Sequence, residues 1–178
     1  DIKPSNIFLT ERGGMYDFVK VLDFGLAKDV GPVDQELTRA GQVFGTPLYI
    51  APELARGQSS VEGSADIYSL GCVAFFMLTG KTPFEGASPY DVVAKHLNEA
   101  PEAPSTRTDQ DIPAELDEAI LRCLAKQPED RYPDMESLAH ALAAIDFDPP
   151  WSSDQARAWW LQHPPSTGDR KPPKSDES

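Results

Sequence analysis

The sequence predicts an α+β, mainly helical chain in which a small β-hairpin precedes a long irregular stretch and a helical bundle. Two short apolar runs flanking a glycine-containing segment, at residues 7–10 and 18–22, predict the hairpin. The stretch ADIYSLGCVAFFMLTG (65–80) is apolar almost all round after its first turn, which predicts a buried central helix. Two amphipathic stretches further on predict helices packed around it.

Each element follows from local chemistry. The chain opens DIKPSN, a polar cluster around a proline, and turns at once into Ile-Phe-Leu. ERGG and its neighbours predict a long loop between two antiparallel strands. Such pairing sets the residue before the first strand, Asn6, beside the residue after the second, Asp23. Residues 24–62 lack helical periodicity, and an irregular stretch of that length inside a compact domain is usually functional or mobile. The helix over 65–80 stops at Gly80, a C-cap signal, with Pro83 shortly beyond. Ser88 as N-cap and Pro89 at the first position predict a helix over 88–99. Over 115–126, Leu116, Ile120, Leu121 and Leu124 share a face, with acids early and Lys126 late as the helix dipole prefers. Over 134–145, Met135, Leu138, Leu142 and Ile145 recur at helical steps. After Pro150, WSSDQARAWWLQH predicts a short helix capped by Ser153 or Asp154, its Trp159 and Trp160 needing a surface to pack on. The expected division is a main domain over 1–146, a short linker or helix over 147–163, and a disordered, proline-rich tail over 164–178.

Composition narrows the function classes. A net charge of −13 argues against nucleic acid as the main partner, because duplex binding rests on neutralising phosphates with Lys and Arg. Cys72 and Cys123 both sit in apolar helical patterns and read as buried thiols in a reducing compartment. His96, His140 and His163 are far apart and have no metal-ligand spacing. No stretch of this sequence reads as a signal peptide, and no apolar run in it approaches the ~18 residues of a membrane span.

DIKPSN, then DFG at 23–25, GTPLYIAPE at 45–53 and DIYSLG at 66–71 appear in the order of successive signatures of the eukaryotic-type serine/threonine protein kinases, and the sequence resembles the bacterial members of that family over roughly residues 1–146. The resemblance implies the C-terminal lobe of the kinase fold. Phosphoryl transfer needs positioning and charge neutralisation more than covalent help, which suits these residue types. By resemblance, Asp1 is the catalytic-loop aspartate that orients the substrate hydroxyl and accepts its proton, and Lys3 offsets charge at the γ-phosphate. Asn6 and Asp23 match the metal ligands, hard oxygen donors suited to Mg²⁺, with Mn²⁺ as an alternative. Phe8 matches the apolar residue beneath the adenine of ATP. Phe24 and Gly25 match the hinge that sets Asp23, and 23–53 the activation segment. Thr38 falls where related kinases are phosphorylated, and Thr46 matches the residue beside the phospho-acceptor. Together Lys3 and Thr46 imply serine/threonine rather than tyrosine acceptors on protein substrates. Glu53 and Arg131 match a buried ion pair, and Asp66 a residue hydrogen-bonded to the catalytic-loop backbone.

The family's first lobe, with its Gly-rich loop, strand lysine and partner glutamate, has no counterpart in the sequence, which starts inside the catalytic loop. The expectation is therefore part of a longer kinase that, taken alone, binds ATP weakly and transfers no phosphate. The alternative is a pseudokinase or docking module acting through protein–protein contacts. A cytoplasmic location is expected, with membrane attachment beyond this chain left open.

Overall fold

The computed structural model describes residues 2–22, 47–58 and 63–164. Asp1, Asp23, Phe24, Gly25, Thr38 and Thr46 lie outside the described residues. The described part is mainly helical with one two-stranded sheet. It divides into two compact units: Asp1–Phe8 with Lys20–Asp146, and Leu9–Val19 with Phe147–Ser178.

The hairpin is β1 (Ile7–Arg12) paired with β2 (Met15–Val21). Its connection is tighter than the long loop expected. Gly13 and Gly14 take φ of 60° and 85°, the left-handed geometry that lets a two-residue turn follow the twist of the strands. The Glu11 carboxylate accepts the Gly14 N–H at 2.7 Å and closes this turn from the side.

In the larger unit the first α-helix, α1 (Pro52–Ala55), is one short turn. The long α2 (Ser64–Thr79) follows and carries the core on two sides. Tyr68, Cys72 and Phe75 pack with Ala51, Ile120 and Leu124, while Ile67 packs with Cys123, Tyr132 and Leu138. Helix α3 (Pro89–Asn98) starts on a reciprocal cap, Ser88 Oγ accepting the Asp91 N–H and the Asp91 carboxylate accepting the Ser88 N–H. Helix α4 (Ala114–Cys123) ends earlier than the periodicity over 115–126 suggests. Pro128 disfavours the helical conformation at Gln127, which is extended at ψ 132°, so the chain has left the helix before Lys126. Helix α5 (Met135–Ala143) is capped by Asp134, whose carboxylate accepts the Ser137 N–H at 2.7 Å.

At Gly71, α2 and α4 pack against each other without room for a side chain. A Cβ built there would lie 2.7 Å from Cys123 Cβ and 3.3 Å from Leu124 Cδ2. Gly71→Ala is therefore expected to destabilise despite the better helix propensity of alanine: overpacking costs about 1–3 kcal/mol against a gain of about 1 kcal/mol. Urea unfolding checks this, and a midpoint equal to or above the parent's refutes the close-packed reading of Gly71.

In the second unit, α6 (Ser153–Gln162) accompanies the hairpin tip. Its cap is Ser152, not Ser153 or Asp154: Ser152 Oγ accepts the Gln155 N–H while the Gln155 side chain accepts the Ser152 N–H. Glutamine at the third position completes a reciprocal pair only from residue 152. Among the described residues no helix is long and apolar enough to cross a membrane.

Candidate active site

The polar opening of the chain folds as a tight turn against the mouth of the hairpin. Lys3 is extended, Pro4–Asn6 form one 3-10 turn, and the Asn6 N–H donates to the Lys3 carbonyl at 3.0 Å. Proline suits the start of such a turn because its missing N–H has no partner there. The Asn6 carbonyl accepts the Leu22 N–H at 2.8 Å. The hairpin thus sets Asn6 opposite the residue immediately before Asp23, the register that the strand pattern implies at this end. Asn6 is buried, so its carboxamide is held by its surroundings, and Lys3 is partly buried beside it. Phe8, the residue after Ile7 in β1, is 47% exposed.

Glu53 and Arg131 meet in the interior, 78 residues apart in sequence. Arg131 is 1% exposed and Glu53 2%. The two guanidinium ends donate to the two carboxylate oxygens at 2.7 and 2.8 Å. The remaining N–H groups go to the carbonyls of Ala125, Ser64 and Lys126, at 2.9, 2.8 and 3.4 Å. All five donors of the guanidinium are thereby used. Burial alone pushes the Glu53 carboxyl up, but the Arg131 hydrogen bonds and charge more than offset it and hold it below its ordinary value. Nearby, Ser69 Oγ on α2 donates to the Tyr49 carbonyl at 2.7 Å. Residues 47–55 are in this way fastened to the bundle at two points.

Asp66 is exposed in the first turn of α2, where its carboxylate complements the positive end of the helix.

A buried polar cluster went unsingled by sequence reasoning. His96 is 0% exposed, its Nδ1 2.9 Å from the Tyr68 hydroxyl and its ring edge-on to Phe84 at 4.9 Å. Among the described residues its Nε2 has no hydrogen-bond partner. The available signal was its position four residues after buried Val92, on the inward face of α3. Lys126, freed from α4, donates from Nζ to the carbonyls of His96 and Lys95 at 2.9 and 3.4 Å. These carbonyls belong to the last turn of α3, so the lysine caps a different helix from the one its sequence position suggests. Nζ also lies 4.3 Å from the Phe84 ring centre. Desolvation pushes the Lys126 ammonium down to about 8.

Burial, helped by the Lys126 charge and opposed by the Leu48 backbone, pushes His96 down to about 4 from 6.5. The unfolded chain thus binds a proton first as pH falls. The stability of the neutral buried ring is complete above pH 6.5 and declines towards pH 4. Between pH 6.5 and 5 the expected loss from this residue is about 1–2 kcal/mol. Urea unfolding of the parent and His96→Gln at both pH values measures it, and equal pH dependence in the two proteins refutes the assignment. Cys72 and Cys123 are buried free thiols, both pushed up by desolvation, Cys123 to about 12. Among the described residues no group of acidic, His or Cys side chains is assembled to hold a metal ion.

Comparison with known proteins adds a second line of observation. The protein kinase domain family matches residues 1–143. Serine/threonine-protein kinase PknB of Mycobacterium tuberculosis is 43% identical over 132 residues, 74% of this chain and 20% of the relative. Serine/threonine-protein kinase pkn3 of Myxococcus xanthus is 43% identical over 149 residues, 82% of this chain and 27% of the relative. Serine/threonine-protein kinase Pkn1 of the same organism is 44% identical over 142 residues, covering 80% and 20%. The chain thus spans about a fifth to a quarter of the length of these relatives.

Proposed function

The chain belongs to the protein kinase domain family, and from that premise we propose that it supplies the C-terminal lobe of a serine/threonine protein kinase, which transfers the γ-phosphate of ATP to hydroxyls of protein substrates. The observation that carries this reading is the order Asp1, Lys3, Asn6, Asp23 within the matched span, with Asn6 buried at the hairpin mouth. Three relatives named as serine/threonine-protein kinases support the acceptor class.

In this mechanism the Asp1 carboxylate orients the acceptor hydroxyl and takes its proton as oxygen attacks the γ-phosphorus. The bond from that phosphorus to the β-bridging oxygen breaks, and ADP leaves. The Lys3 ammonium offsets charge on the transferring group. Asn6 and Asp23 offer a carboxamide and a carboxylate oxygen, a donor set that fits Mg²⁺, or Mn²⁺ in its place. A divalent ion held there supplies neutralising charge to the nucleotide phosphates. The exposed ring of Phe8 offers an apolar floor for adenine. Gly25 serves as the hinge of Asp23, Thr38 as a regulatory phosphosite, and Thr46 as part of the surface beside the acceptor. The Glu53–Arg131 pair, with Ser69 on Tyr49, holds that surface to the bundle. A supply of ATP and two unpaired thiols fit a cytoplasmic location for this part of the protein.

The test is transfer of labelled γ-phosphate from Mg-ATP to a generic serine/threonine substrate by the intact protein, beside its Asp1→Asn form. Transfer lost in the variant supports the reading. No transfer from folded parent protein, with and without prior phosphorylation, transfers the assignment to a pseudokinase or docking module.

A further inference from the structure

The second unit contains a contact that lies outside residues 1–143, the family-matched span, on one side and reaches into the hairpin on the other. Asp17, inside β2, has φ 56°, the one positive φ among the described non-glycine residues. Asp tolerates this conformation better than most residues, and β2 has one residue more than β1, the extra residue of a bulge. Its side chain is held at both oxygens. One carboxylate oxygen accepts the Trp160 indole N–H at 2.7 Å and the other accepts the Trp151 indole N–H at 2.8 Å. These two bonds hold the Asp17 carboxyl below the ordinary carboxylate range, the Trp160 bond contributing more. Next to it the Tyr16 ring lies 6.5 Å from that of Trp160, which in turn meets Trp159 edge-on at 6.1 Å. Trp159 stacks on His163 at 4.4 Å. The Ser152–Gln155 cap fixes where α6 starts, one residue after Trp151, so that both indoles converge on one carboxylate from either end of the segment.

We propose that residues 147–163 form a strap locked onto the hairpin tip through Asp17, and that strap and hairpin order and loosen together. Two donors on the strap meet two acceptors on one side chain, so neither indole can leave without stranding part of the lock.

Hydrogen exchange by mass spectrometry on the intact protein tests the lock without reference to activity. Asp17→Gly keeps access to positive φ and removes both acceptors. Exchange is expected to rise about tenfold or more, together, in residues 9–19 and in 153–162, with 64–143 unchanged. Trp160→Phe keeps a ring against Tyr16 and removes one donor, and a smaller rise over the same segments is expected. Protection of α6 unchanged in both variants overturns the lock. A rise in only one of the two segments overturns their joint ordering. If Asp17→Gly fails to fold, Trp160→Phe decides by the same criteria. Absence of kinase activity in the parent would refute the proposed function and leave these exchange results standing.

Discussion

Arg131→Met is expected to lower the unfolding free energy by about 3–5 kcal/mol, the largest stability effect of any single substitution considered for this chain. The cost is not the worth of an ion pair alone. Glu53 would be left 2% exposed without a counter-charge, and the carbonyls of Ala125 and Ser64 would lose a donor. Arg131→Lys is expected to recover little, since three donors on a flexible stem cannot reproduce the planar fork and its five bonds. The double variant Glu53→Met with Arg131→Met is expected to be more stable than Arg131→Met, because no uncompensated charge remains buried. Urea midpoints of the four proteins decide it. A single variant within about 1 kcal/mol of the parent would show that the pair is not buried as described. Acid acts in the same direction: Glu53 titrates below its reference value of 4.5, so the pair's contribution is complete above that pH and falls as pH drops further.

In the intact protein, Asp1→Asn is expected to reduce kcat for phosphoryl transfer by about 10²- to 10⁴-fold, the range for losing a positioned general base. The carboxamide keeps the size and can still hydrogen-bond the acceptor hydroxyl, but it cannot take the proton. The KM for ATP is expected to change little, because the proposed mechanism gives the nucleotide-facing roles to Lys3, Asn6, Asp23 and Phe8. The unfolding midpoint serves as control and should match the parent. A variant retaining full kcat would remove Asp1 from the mechanism.

Local pattern was sufficient for several elements. The apolar run closed by Gly80 is α2, and Ser88 with Pro89 opens α3, because caps and periodicity are settled within a few neighbouring residues. The hairpin was legible, but its two-residue turn was not, since Met15 to Asp17 do not alternate as a strand should and Asp17 sits in the left-handed region within β2, which is one residue longer than β1. The end of α4 was misjudged because Leu124 continues the apolar stripe, while Pro128 governs the conformation just beyond it. The family resemblance supplied the pairing of Glu53 with Arg131; composition and spacing alone contain nothing that joins residues 78 positions apart.

The order of the chain therefore carries its elements, its family and the identity of its polar opening, since these depend on residues adjacent or a few steps apart. Which partner a buried polar group finds depends on the packing of distant segments. The fifth bond of Arg131, the capping of α3 by Lys126, the neutral state of His96 and the seizure of Asp17 by two tryptophans arise only there. A donor removed from water takes whatever acceptor the fold places within reach, and that choice is made by the tertiary arrangement.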